Sequence, residues 1–108
     1  MKIDISQLEF IDKRLRSILV YAEDIVGAEL VITSLYRIGD HGVHGQLPLR
    51  GADLRMRNKF IAEEIAKRIN ESWVYDTSRP NKDCAIPHGD GSNYHLHIQV
   101  HPNTKVRE

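Results

Sequence analysis

Apolar patterning along this chain predicts an α+β fold, with helices packed on one side of a small, mainly antiparallel sheet. Three observations carry that expectation. Two stretches repeat apolar residues at three- and four-residue spacing, and four short stretches are β-branched, aromatic or strictly alternating. Two long segments dense in glycine, proline and polar residues separate them. A length of 108 residues allows one domain with one core, spanning 1–108.

The elements follow in order. Leu8, Ile11, Leu15, Ile18, Leu19 and Ala22 recur at helical spacing, which predicts a helix over 6–26, with Ser6 at its start and Gly27 at its end. Residues 29–36 are rich in β-branched and aromatic side chains and suit a buried strand. Gly39, Gly42, Gly45 and Pro48 make 39–49 a loop long enough to suspect a functional one. A short strand over 52–56 follows, then a helix over 58–72 with Phe60, Ile61, Ile65 and Ile69 on its inner face. Residues 73–75 read as a brief strand and 77–93 as a second long loop. The clearest element is 94–101, where alternation turns Leu96, Ile98 and Val100 to the core and His95, His97, Gln99 and His101 to the other face.

Bulk properties narrow the function. Fifteen basic and fifteen acidic residues give zero formal net charge, so no global pull toward nucleic acid or anionic membrane is expected. No apolar run is long enough to span a bilayer. The N-terminal residues carry no signal-peptide pattern, and the single Cys84 cannot form an internal disulfide. A chain made in the cytoplasm is the expectation, with release at lysis if it is phage-encoded. Cys84 reads as a small packed hydrophobe, Trp73 as core and His101 as solvated.

Six histidines are the unusual count, and four lie between His88 and His101. Residues two apart on a strand share a face at about 6.6 Å, so His95 and His97 can converge on one ion, or one can bind while the other moves a proton. His101, about 13 Å beyond His97 along a regular strand, is a poor partner for the same ion. The segment Asp40-His41-Gly42-Val43-His44 and the later Gly51-Ala52-Asp53 add groups that zinc accepts. A catalytic zinc takes three protein ligands and keeps a fourth position for water. One histidine and one aspartate from this region, with one histidine from the last strand, would complete that set. His88, in Pro87-His88-Gly89-Asp90-Gly91, reads as a loop residue near the site.

Together these blocks resemble the zinc D-alanyl-D-alanine metallopeptidases and phage endolysin peptidases, the group related to lysostaphin and the hedgehog signalling domain. The resemblance runs through Ser34-Leu35-Tyr36-Arg37, then His44 through Gly51-Ala52-Asp53, then His95-Leu96-His97, in the family's order. It implies a hedgehog-like fold and a peptidase acting on peptidoglycan peptides. It also implies zinc held by His44, Asp53 and His97, with His95 carrying a proton or stabilising the tetrahedral intermediate. Arg37, flanked by Ser34 and Tyr36 on the substrate side, would pair with a substrate carboxylate or the developing oxyanion. The chain departs from the family by placing eight residues rather than six between His44 and Asp53, which leaves His41 as a substitute ligand. Several relatives carry a glutamate base where this chain has His95, and no wall-binding module accompanies it. D-Ala-D-Ala, L-Ala-D-Glu and cross-bridge bonds all remain open as substrates.

Two other functions fit parts of the pattern. A phage or bacterial binding or assembly module could keep the fold and use zinc for structure alone. His-hydrophobic-His on a strand is also the metal motif of rolling-circle endonucleases, which need a helical tyrosine; Tyr21 lies on a predicted helix but lacks basic surroundings.

Overall fold

Helix α1 (Lys13–Val26) starts where the Asp12 carboxylate accepts the Arg14 backbone N–H at 2.8 Å, an N-cap that satisfies one orphan donor of the first turn. This places the start seven residues later than the spacing predicted, because Ile11 instead forms an isolated bridge with Leu49. The helix ends at Gly27, whose φ of 69° is a left-handed conformation that glycine adopts without a Cβ penalty. These are features of a computed structural model, which describes residues 11–27, 30–36, 49–56 and 58–107. Ser6, and most of the first predicted loop, lie outside the described residues.

Strand β1 (Ile32–Tyr36) and strand β2 (Gly51–Arg55) pair antiparallel, with a register irregularity between Ile32 and Ser34. Helix α2 (Lys59–Ser72) is capped by Asn58, whose side-chain oxygen accepts from the Phe60 and Ile61 amides. Its buried stripe is Ala62, Ile65, Ala66 and Ile69. Phe60 and Ile61, expected inside, are instead 83% and 48% exposed. At 3.6 residues per turn Phe60 lies nearly opposite that stripe and Ile61 lies on its flank. The two alanines, and not the large residues of the first turn, set the face that packs.

The chain then runs through β3 (Trp73–Val74), β4 (Ala85–His88), a single 3-10 turn (Gly91–Asn93), β5 (His95–Gln99) and β6 (Lys105–Val106). The main sheet has the order β1-β2-β5-β4 with every pair antiparallel, and β3 pairs with β6 in a separate two-stranded ladder. Strand β4 falls inside the stretch expected to be loop. Its four residues include Pro87, a residue that sheets accept at an edge, where no ladder hydrogen bond is lost. Asn70 of α2 holds that edge: its side-chain oxygen accepts from the Cys84 and Ala85 amides, and its nitrogen donates to the Ala85 carbonyl.

The two helices pack with the sheet over one core, so the fold is α+β as predicted. Leu15, Ile18, Leu19 and Ala22 of α1 meet the α2 stripe and the sheet residues Ala52, Leu54, Leu96 and Ile98. Leu96, Ile98 and Val100 are buried as the alternation requires. Trp73 packs against this core, edge-on to Tyr21 at 4.9 Å between ring centroids. Cys84 is fully buried, and burial, with the Asp83 charge adding, pushes its thiol up to about 12, so it packs and does not attack. No helix among the described residues is long and apolar enough to cross a membrane.

Candidate metal centre

The polar face of the sheet is built by register. Antiparallel partners project to the same side, so Ser34, Asp53, His97 and Ile86 form one row across the four strands. Arg55, His95 and His88 form the next row. Asp53 and His97 come from positions 44 residues apart in sequence, yet His97 Nδ1 stands 3.1 Å from Asp53 Oδ1. Two donors on one tetrahedral zinc stand about 3.3 Å apart, given bonds near 2.0–2.1 Å. The pair therefore already has the spacing of two neighbouring ligands.

The other nitrogen of His97 tests the fit further. Gln99 donates from its amide nitrogen to the Asp83 carbonyl at 2.8 Å, which turns its Oε1 to His97 Nε2 at 3.1 Å. His97 therefore stands between two acceptors, the Gln99 oxygen at Nε2 and the Asp53 carboxylate at Nδ1, and a neutral ring can donate to only one of them. A cation bound by Nδ1 and the carboxylate would leave Nε2–H to donate to Gln99. A second partner that fixes the far nitrogen is the usual companion of a ligating imidazole. The pair fits two of the three protein ligands that a catalytic zinc takes.

His95 is arranged differently. Its Nδ1 lies 2.8 Å from the Asn93 carbonyl, which can only accept, so Nδ1 donates and the Nε2 lone pair points into the site. That nitrogen is 3.9 Å from Asp53 Oδ1, too long for a hydrogen bond. The turn behind it depends on Gly89, whose φ of 94° brings the Asn93 carbonyl so close that a Cβ would collide with its oxygen. Side chains of His95, His97 and Asp53 are 28%, 21% and 24% exposed, open enough to meet a ligand.

Of the predicted site residues, Ser34, Asp53, His95 and His97 are brought to one face. The backbone of Tyr36 sits opposite Gly51 at the end of β1. Arg37, His41 and His44 lie outside the described residues, and among the described residues no three metal-binding side chains converge on one ion. His88, expected in a loop, is on β4 directly across from His95, with ring centroids 5.3 Å apart. Its neighbours Pro87 and Gly89 hid the strand. His101, expected to be solvated, faces Asp76 at 3.7 Å and Tyr75 at 5.6 Å between rings, and accepts the Asn103 amide. It belongs to a turn and lies outside the site. Tyr21 packs on Trp73 and accepts from the Ser72 hydroxyl.

No family model matches the chain, and no match was found among curated proteins or solved structures.

Proposed function

We propose that this chain is a zinc-dependent peptidase that hydrolyses peptide bonds of bacterial peptidoglycan, as a D-Ala-D-Ala carboxypeptidase or an endolysin-type endopeptidase. The observation that carries the reading is the Asp53–His97 pair at ligand spacing, with the Nε2 of His95 beside it. His44 would be the third ligand. Zinc in that position would supply an acidified water, with its pKa near ~7, and a Lewis acid for the scissile carbonyl.

The chain's own residues account for the remaining steps. His95 is held as the Nδ1–H tautomer by the Asn93 carbonyl, so its Nε2 is the atom that accepts a proton from the attacking water and later returns it to the leaving amine. Gly89 and the Gly91–Asn93 turn keep that ring in place. Arg37 would hold a substrate carboxylate or the oxyanion through its guanidinium fork, with Ser34 and Tyr36 on the same approach. The nuclease alternative asks for a free helical tyrosine, whereas Tyr21 is committed to Trp73 and Ser72 in the helix layer.

The test is to load the chain with zinc, incubate it with purified muropeptides and follow new products by mass spectrometry. Cleavage is expected, with His95→Ala about 10²–10⁴-fold slower while its zinc content is unchanged. Zinc-loaded protein that leaves every muropeptide intact would remove the peptidase reading and favour a binding or assembly module.

A further inference from the structure

Arg55 and His88 stand on either side of His95 in one row of the polar face, and the reaction proposed above uses neither. The ladder sets how near they come. The Val100 amide donates to the Arg50 carbonyl just beyond the β2–β5 pairing, in the same register. Hydrogen-bonded pairs alternate with open ones, which makes Arg55 and His95 an open pair, with Cα atoms about 4.5 Å apart and side chains close. On the other flank the His88 ring lies edge-on to His95, with centroids 5.3 Å apart and planes at 60°. Strand β4 ends the sheet, so His88 sits at its rim, and both flanking residues are exposed. Two strand spacings separate the Arg55 and His88 backbones by about 10 Å, with His95 between them. Arg55 keeps its positive charge at every ordinary pH. Among the described residues no carboxylate pairs with it, and Asp53, two residues earlier on the same face, lies 3.1 Å from His97.

We propose that Arg55 and His88 are specificity-determining residues that hold a carboxylate of the residue released with the leaving amine. Arg55 binds it through its guanidinium fork and His88 through a ring N–H. The inference rests on the peptidase reading, in which His95 Nε2 returns a proton to the leaving amine and so brings that amine over the middle of the row. In an α-amino acid the carboxyl carbon is two bonds from the amine nitrogen, about 2.5 Å away. A free α-carboxylate on the released residue therefore falls between the donors on the two flanks. A terminal D-Ala carries such a group, and so does the D-Glu of an L-Ala-D-Glu bond when its chain continues through the side-chain carboxyl. A glycine inside a cross-bridge carries none. With the carboxylate held here, Arg37 is left to the oxyanion.

The test gives the zinc-incubated full chain two stem peptides, one ending in D-Ala-D-Ala and one containing L-Ala-D-Glu. Each is supplied with a free α-carboxylate on the released residue and again with an α-carboxamide. The acids are expected to be cut with kcat/KM about 10–100-fold above their amides, and the peptide that is cut identifies the source of the carboxylate. Arg55→Gln is expected to bring the acid-to-amide ratio near unity, Arg55→Lys to restore part of it, and His88→Gln to lower it less. Calorimetric affinities for the same peptides give the ratio without turnover. A wild type that treats acid and amide alike, whether it cuts both or binds neither, overturns the proposal, as does an Arg55→Gln chain with the full preference for acid. A chain that cuts nothing, yet binds the acids over the amides through Arg55, supports the carboxylate site and defeats only the peptidase reading.

Discussion

Two histidine–aspartate pairs draw their histidines from β5 and the turn that follows it, and their surroundings differ. Asp76 is 2% exposed and its carboxylate accepts from the Ser78 amide at 3.1 Å and the Ser78 hydroxyl at 2.9 Å, with Arg79 at 3.5 Å. His101 uses its Nδ1 to accept the Asn103 amide, and its backbone N–H donates to Thr104. Donors of the chain itself meet these acceptors, so the pair closes a turn. Asp53 and His97 instead stand partly exposed on a strand face, with His97 between the Asp53 carboxylate and the Gln99 oxygen. The difference is one of burial: the Asp76 side chain is 3% exposed and the Asp53 side chain 24%.

The largest expected effect breaks the comparison directly. Elemental analysis of untagged protein should find about one zinc per chain, as one tetrahedral site requires. The metal should vanish in His97→Ala and in Asp53→Ala. Asp76→Asn should unfold at a lower temperature yet keep the metal. Zinc lost equally from Asp76→Asn while it remains folded would mean that the two pairs are one system, and a wild type that takes up no zinc would end the metal reading.

A smaller effect separates the site face of β5 from its core face. Leu96 lies between His95 and His97 in sequence and is fully buried. Leu96→Ala should cost about 2–5 kcal/mol in denaturant unfolding, by lost transfer energy plus the cavity left behind. His95→Ala, on the open face, should stay within about 0.5 kcal/mol of the parent. Equal costs would show that His95 serves the fold.

How much of this could be read beforehand follows from the reach of each signal. β5 was legible because alternation over 94–101 separates Leu96, Ile98 and Val100 from the histidines, and the register then brought Asp53 opposite His97. Strand β4 was not, because Ala85-Ile86-Pro87-His88 has no alternation and a proline that only an edge tolerates. Edge position is a property of the sheet and is absent from any local window. The α1 start was misplaced for the reverse reason: Leu8 and Ile11 continue the helical spacing, but Asp12 caps the helix and Ile11 pairs with Leu49. Gln99 carried no motif, and its contacts with Asp83 and His97 appear only once the strands are folded together.

The closed turn can be sharpened at Thr104. Its hydroxyl donates to the buried Tyr75 carbonyl at 2.7 Å and accepts the His101 amide at 2.8 Å. Thr104→Val keeps the shape and removes both bonds, which should cost about 1–3 kcal/mol and leave zinc content untouched. A neutral result in urea unfolding would mean that water replaces the hydroxyl.

Acid should reveal the same turn more gently. The Ser78 amide does most to hold the Asp76 carboxyl below its ordinary value of 3.8; burial opposes this, while the Ser78 hydroxyl, the Asn103 side chain and the nearby His101 add to it. A carboxyl with a depressed folded-state pKa binds fewer protons folded than unfolded, so stability rises with pH through that window. The contribution is therefore complete above the ordinary carboxylate range and is lost as pH falls through the folded value. Thermal midpoints measured from neutral pH down into that range should fall for the wild type by more than for Asp76→Asn, which has no proton to gain at that position. Parallel curves for the two would show that the acid sensitivity of the fold arises from other carboxylates, and that the Asp76 turn holds its charge without lending the fold any stability.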